Sequence, residues 1–471
     1  MSYRRPLNFN EQLYFINSVF KHRDAVQVVV KLASSNHDNA VQTLKTGITL
    51  ASNAHKIHSR RINGSVLYLS KNNKLHIKIH YQDSELAEND ALLNDPVKDS
   101  GTLIEHHIVV TKKNLFLIVK SHHVIMDGAA YVQYLKEIFK VIRGTSLISD
   151  QKLYSEVDAF PKNYTKNQKI QGPRASKVKG KWDSGSLVKG LAFDNNIGNI
   201  CAVLALSASK AIGRRGSFII PFDLRKFGIC PSGYGNMTLP IYLNVEPTDN
   251  LGDITAQLNY QVQFKAPLNN SLSSFRIKTI PNWLLRPTIK IILRLFQLTG
   301  YYFASGCISD LGQLSLLDFS APDLDAVDLL PIPMVSPQSP YTAFCLSHEN
   351  GTRIGLSVNA GNGLKKWEEE IQRLYGLIEP VLNDVGIDKG EPLDEVIVNA
   401  WARYLKLEAQ HCFKNSTVSF SNFGGDSVAL VLMCSEIQKA LSMEGNQQVT
   451  SKIFALGTSI TISEMVKIYK Q

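Results

Sequence analysis

Residues 119–135 read VKSHHVIMDGAAYVQYL, a stretch that joins two unlike patterns. Before it, Asn114 to Lys120 (NLFLIVK) is an apolar run with the pattern of a buried strand. After it, Tyr131, Tyr134, Leu135, Ile138, Phe139 and Ile142 recur at helical spacing. Two histidines, an aspartate and a glycine therefore sit at a strand-to-helix junction, where the backbone is held and side chains can face a cleft. Neighbouring residues at a strand end point to opposite faces, so only one of His122 and His123 can readily face a given cleft. Imidazole accepts a proton near neutral pH and can activate an amine, hydroxyl or thiol for attack on an acyl carbon. The residues alone leave Asp127 three roles: orienting the histidine, forming a salt bridge, or capping the helix.

The chain of 471 residues exceeds one core, and its 44% hydrophobic and 20% charged residues fit a soluble globular protein of two to four domains. The opening MSYRRPLNFNEQLYF lacks the apolar core of a secretory signal. Trp283 to Ala304 is apolar but interrupted by Arg286, Lys290 and Arg294, so it reads as an amphipathic, packed helix, with a surface-membrane role as the alternative. Cysteines 201, 230, 307, 345, 412 and 434 are scattered without CxxC spacing, which implies reduced thiols, a cytoplasmic setting and no zinc site. No HExxH accompanies either histidine pair, so no metal is expected. From Asp388 onward eight Lys/Arg face nine Asp/Glu, a net of −1 that leaves +11 on the rest of the chain. With no zinc-finger, helix-turn-helix or RNP-like pattern, that basic body suits acidic proteins or phosphate-bearing ligands better than nucleic acid.

Three sections follow from the patterning. The first, residues 1–175, alternates strand-like AVQVVVKLA, VLYLS, LHIKIH and NLFLIVK with helical segments. The second, 176–387, repeats that style with a helix in NICAVLALSASKAIG, strands in GSFIIPFDLR, LPIYLNV and RIGLSVN, and a closing helix KKWEEEIQRLYGLIEPVL. Thr165 to Gly190, rich in Lys, Gly and Ser, is the linker candidate between them. The third, 388–471, places Leu393, Val396, Ile397, Ala400, Trp401, Tyr404 and Leu405 on one helical stripe and predicts a small all-α bundle. Within it, Gly424 and Gly425 permit a tight loop, and Asp426 or Ser427 can cap the next helix.

HHVIMDG matches the HHxxxDG pattern of nonribosomal peptide synthetase condensation domains and of the wider chloramphenicol acetyltransferase-like superfamily. Downstream and in the same order, IIPFDLRKFG resembles that superfamily's PxDLR strand end, YGNMTLPIYLNV its glycine-asparagine segment, and CISDLGQLS its SNLG segment beside the active tunnel. The resemblance spans roughly residues 5–385. It implies an α/β fold of two chloramphenicol acetyltransferase-like subdomains forming a V, with a tunnel at their interface. His123 would act there as general base or nucleophile-positioning group, and Ser309 would be a tunnel residue. His122, Asp127, Gly128 and Arg225 would be structural, with Asp127 paired to Arg225 and Gly128 letting the helix approach the tunnel. The family's N-terminal motif is reduced here to NFNEQLYFI, and its His-x-x-Leu-Arg is only hinted at by HKIHSRRI. Those departures leave room for a divergent acyltransferase that makes an ester.

NFGGDSVAL, Asn422 to Leu430, resembles the attachment site of phosphopantetheine-dependent carrier domains. The resemblance implies a small four-helix carrier over 388–471, with 4'-phosphopantetheine attached to Ser427 beside Asp426. EVIVNAWARYL and SKIFALGTSITISEMVKIYK resemble the carrier's first and last helices. Together the two resemblances imply transfer of a thioester-bound acyl or aminoacyl group to an amine in secondary-metabolite assembly. The alternatives are an O-acyltransferase drawing on acyl-CoA and a non-catalytic docking module. The chain carries no adenylation-type Lys-Gly stretch and no GxSxG elbow. Partner carriers, adenylation or loading enzymes and a phosphopantetheinyl transferase are therefore expected in trans, with no nucleic acid and no integral membrane segment.

Overall fold

The computed structural model describes residues 4–19, 25–70, 75–87, 90–95, 97, 102–147, 154–155, 176–178, 187–197, 199–227, 233–268, 282–334, 339–358, 363–383, 395–405 and 456–470, with short pieces between 407 and 453. The first half runs α1 (Phe9–Val19), β1 (Ala25–Ala33), α2 (His37–His55), β2 (Ile77–Tyr81), β3 (Ile104–Val110), β4 (Leu115–His122) and α3 (Gly128–Ile142). Strands β3 and β4 pair antiparallel from Ile104↔Ser121 to Val110↔Leu115, and every residue of both is buried. Both sheet faces are covered, so the apolar runs Ile108–Val110 and Leu115–Val119 are buried on each side, and Glu105, His106, His107 and Lys120 are buried with them. Leu117 and Val119 meet the apolar stripe of α3, while Phe116 and Ile118 meet a smaller cluster around Leu93. Tyr131 of α3 fixes that packing, because its hydroxyl donates to the Val119 carbonyl at 2.7 Å, accepts from the Val28 N–H at 3.0 Å and lies 3.1 Å from the Val28 carbonyl.

The second half runs β5 (Leu187–Phe193), α4 (Ile200–Ile212), β6 (Gly216–Asp223), β7 (Thr238–Val245), α5 (Leu251–Gln263), α6 (Asn282–Thr299), β8 (Gly306–Gln313), β9 (Asp325–Ile332), β10 (Tyr341–His348), β11 (Gly351–Val358) and α7 (Gly363–Asn383). Six strands form one sheet in the order β5-β11-β10-β8-β6-β7. The turn from β10 to β11 needs Gly351, whose φ is +102° and where a Cβ would lie 1.9 Å from the Phe193 carbonyl oxygen. Helix α4, predominantly apolar, is buried along almost its whole length, Ser207 and Ser209 included. On it, Trp367 of α7 donates to the Leu204 carbonyl and the Ser207 hydroxyl.

Strand β9 belongs to neither the sheet nor the half in which the chain introduces it. It pairs antiparallel with β1, from Asp325↔Ala33 to Ile332↔Gln27, and completes a five-stranded sheet ordered β9-β1-β4-β3-β2. The linker candidate is shorter than its composition suggests: Leu187 to Gly190 begin β5, paired with β11 at Leu187↔Val358 through Gly190↔Gly355. Residues 165–175 and 179–186 lie outside the described residues.

In the third section α8 (Glu395–Leu405) and α9 (Ile462–Lys470) are described. Trp401 of α8 is fully buried, edge-on to Phe420 at 5.0 Å, with its indole N–H 3.4 Å from the Met465 sulfur. The described cysteines (201, 307, 345, 412 and 434) are free thiols. Among the described residues no helix is long and apolar enough to cross a membrane, and no His/Cys/Asp/Glu group is arranged to hold a metal ion.

Burial makes two histidines of the first half, His106 and His122, acid-labile elements. His106, 2.8 Å from the Tyr134 hydroxyl, and His122 are both lowered to about 3, chiefly by desolvation. A histidine whose folded pKa lies below its unfolded value binds no proton in the native state until well below pH 6.5, while the unfolded chain does. Its stabilising effect is complete above about pH 6.5 and is lost as pH falls toward 3, at roughly 1.4 kcal/mol per unit per group. The denaturant midpoint is expected to drop steeply between pH 6.5 and 4.5, and a flat midpoint there would contradict this burial.

Candidate active site

The loop between β4 and α3 is built around Asp127, which no solvent reaches. Its Oδ1 accepts from the Ala130 N–H at 2.9 Å and so caps α3. Its Oδ2 accepts from the Met237 N–H at 2.6 Å and from Arg225 Nη1 at 3.0 Å. The three roles open at the sequence level thus resolve into cap and salt bridge together, with no hydrogen bond to His123. Arg225 also meets Asp223 Oδ1 at 2.9 Å and donates to the Gly233 and Gly235 carbonyls. Burial alone would lower the Arg225 pKa, but Asp127 and Asp223 together hold it above its ordinary value. Asp223 moves the other way, raised by burial and by the charge of Asp127.

A cavity of about 290 Å³ lies where the two halves meet. From the first half come Val26 of β1, His123, and Gly128 and Val132 of α3; from the second come Ile220, Phe222, Ile241, Ser309, Asp310 and Phe344. A Cβ at Gly128 would lie 2.7 Å from Leu311 Cδ2 of β8, so glycine here lets α3 and β8 come together. His122 and His123 are both buried but differ in use. His122 accepts the Val124 N–H on Nδ1 at 3.1 Å and is not part of the cavity wall, whereas His123 Nδ1 is buried without a hydrogen-bond partner. Burial lowers the His123 pKa, an effect partly offset by its own backbone and by Asp127. The imidazole is therefore neutral at pH 7 and able to take a proton. Cys201 and Cys307 also line the cavity; burial raises both thiols, Cys307 to about 12, so they stay protonated and poorly nucleophilic.

Two residues beside His123 escaped the sequence reading. Tyr14 of α1 stacks on the His123 ring, centroids 4.2 Å apart and planes 11° from parallel. Helix α1 is held in place by a capping box, in which Asn8 Oδ1 accepts from the Glu11 N–H and Glu11 Oε2 from the Asn8 N–H, and by a bidentate Arg5–Glu11 pair. That Asn-x-x-Glu spacing in NFNEQLYFI was the available signal. Arg60, fully buried, donates to the Ile125 carbonyl at 2.9 Å and the Tyr234 carbonyl at 3.2 Å. It ties the histidine loop to the segment that Arg225 also grips. Ser427 and Asp426 lie outside the described residues.

This fold is shared with several solved structures. TRI101 of F. sporotrichioides, complexed with coenzyme A and T-2, is similar at 11% identity over 79% of this chain and 98% of its own, with a TM-score of 0.58. Polyketide synthase associated protein 5 of Mycobacterium tuberculosis is similar at 13% identity, covering 79% and 96%, with a TM-score of 0.51. The epimerization domain from the third module of tyrocidine synthetase B reaches 0.50 at 11% identity, covering 81% and 98%. At such identities the likeness is one of fold, a mixed α/β architecture. No family model matches the sequence, and no curated protein is similar to it.

Arg225→Ala strands the Asp127 carboxylate and is expected to cost about 3–5 kcal/mol, read as a lower denaturant midpoint at unchanged slope. An unaltered midpoint with lost activity would assign Arg225 to ligand contact instead. For Tyr14, replacement by Leu removes the stack while Phe preserves it. The expected result is a fall in kcat, with little change in KM, for Tyr14→Leu and near-normal turnover for Tyr14→Phe; equal effects from both would point to the hydroxyl.

Proposed function

We propose that this chain is a condensation-type acyltransferase in which His123 takes the proton of an amine or hydroxyl as that group attacks a thioester carbonyl. The new C–N or C–O bond forms, the C–S bond breaks, and the proton passes from the imidazole to the departing thiolate as free thiol. One observation carries this reading: a neutral, buried imidazole with an unpartnered Nδ1 on the wall of a cavity formed by both halves. Because Cys201 and Cys307 are held protonated, direct transfer is favoured over an acyl-cysteine relay.

The donor in this proposal carries a phosphopantetheine arm, in one of two forms. Coenzyme A in the TRI101 complex supports a free donor. NFGGDSVAL supports the tethered form, with the arm on Ser427 of a carrier spanning 388–471, beside Asp426. Tethering raises the effective concentration of the acyl group at the cavity. The HHxxxDG resemblance favours amide formation in secondary-metabolite assembly, with loading enzymes and a phosphopantetheinyl transferase supplied in trans in the cytoplasm. Ser309 then lies along the path of the acyl group.

The first test is the intact mass of wild type and Ser427→Ala after incubation with a broad-specificity phosphopantetheinyl transferase and coenzyme A. Gain of one arm on wild type alone is expected; no gain would leave the coenzyme-A-dependent O-acyltransferase as the surviving form. In either form, His123→Ala should lower transfer by about 100-fold or more without lowering the thermal midpoint. Full activity in that variant would exclude the catalytic reading in favour of a docking module.

A further inference from the structure

We propose that α6 is a docking element for an anionic lipid surface, on which it lies without crossing. Its residues divide into three stripes. Leu285, Ile289 and Leu293 are buried and cluster with Ile16 of α1. Roughly 150° around the helix, Leu284, Ile291, Leu295 and Leu298 face solvent at 48%, 61%, 51% and 75% exposure. Arg286, Lys290 and Arg294, spaced four apart, run between these two stripes on one flank, and Trp283, 77% exposed, stands beside them. The packed helix expected from the sequence is thus packed on one stripe only.

The apolar surface does not stop at the helix. Tyr301 and Phe303, at 48% and 50% exposure, follow directly, and Phe303 meets Phe296 edge-on at 4.8 Å. Seven of the fifteen large apolar side chains that are exposed among the described residues fall between Trp283 and Phe303, so they are a concentration rather than a scatter.

Charge selects the occupant. From Ile254 to Ser309 the sequence has six Lys/Arg and no Asp/Glu, so this segment holds +6 of the net +10 of the chain. Among the described residues, no salt bridge engages Arg286, Lys290 or Arg294; Arg286 lies over the Phe15 ring at 6.0 Å. An apolar stripe bordered by unpaired cations and an exposed tryptophan has the chemistry of an interfacial helix: apolar side chains enter the acyl boundary, the cations reach lipid phosphates, and the indole sits at headgroup level. With three charges interrupting it, the helix is not built to span.

The test is flotation of the full chain with vesicles of phosphatidylcholine alone and of phosphatidylcholine mixed with phosphatidylglycerol. Binding is expected to the mixed vesicles only, to weaken with added salt, and to fall by about tenfold or more in Arg286→Gln/Lys290→Gln/Arg294→Gln and in Ile291→Glu/Leu298→Glu. All five positions are solvent-facing, so both variants should keep the wild-type thermal midpoint; the charge variant alone is decisive if the other does not fold. Failure of the wild type to float with mixed vesicles overturns the proposal, as does flotation that neither variant reduces. If Ile291→Glu/Leu298→Glu instead turns a dimer into a monomer while wild type ignores vesicles, the face is a protein contact and the lipid reading is wrong.

Discussion

Asp127 buries its carboxylate completely, and Arg225 reaching across the junction is what makes that burial tolerable. The pair does more than neutralise charge. Asp127 begins α3, and Arg225 grips the 233–235 backbone that leads into β7. The register between the two halves is therefore fixed within a few residues of His123. Any shift that opened the cavity walls at this point would strand a buried charge, so the dimensions of the cavity are set by electrostatics as much as by packing.

Around that pair the support of the histidine loop comes from distant parts of the chain. Helix α1 is capped, clamped by Arg5–Glu11 and aimed so that Tyr14 covers the His123 ring. Arg60, from a segment some 65 residues before the loop, secures the Ile125 carbonyl. The loop is therefore held from three sides by contacts that neighbouring residues in the sequence do not supply.

Much of this was legible in the sequence wherever the information is local. The period change from NLFLIVK to the α3 stripe located the junction, and NICAVLALSASKAIG was readable as a helix, though not its burial on nearly every side. The partner of DAVDLLPI was not legible. The residues of that run do not alternate and name no sheet, and β9 finds its neighbour in the other half. Tyr14 was missed for a similar reason: ring stacking is a long-range contact with no spacing of its own. In α6 the three stripes could be counted from sequence, but only tertiary packing decides which of the two apolar stripes turns inward.

Strand β9 also sets an order of events. Its partner β1 lies roughly 300 residues earlier, so the edge of the first sheet stays open while the ribosome makes the second half up to β8. Loop closure over that distance is entropically slow, and an unpaired edge is a template for foreign strands. The half that carries His123 is made first but is completed only when β9 emerges from within the second half, which leaves β1 exposed to misassembly for most of the chain's synthesis.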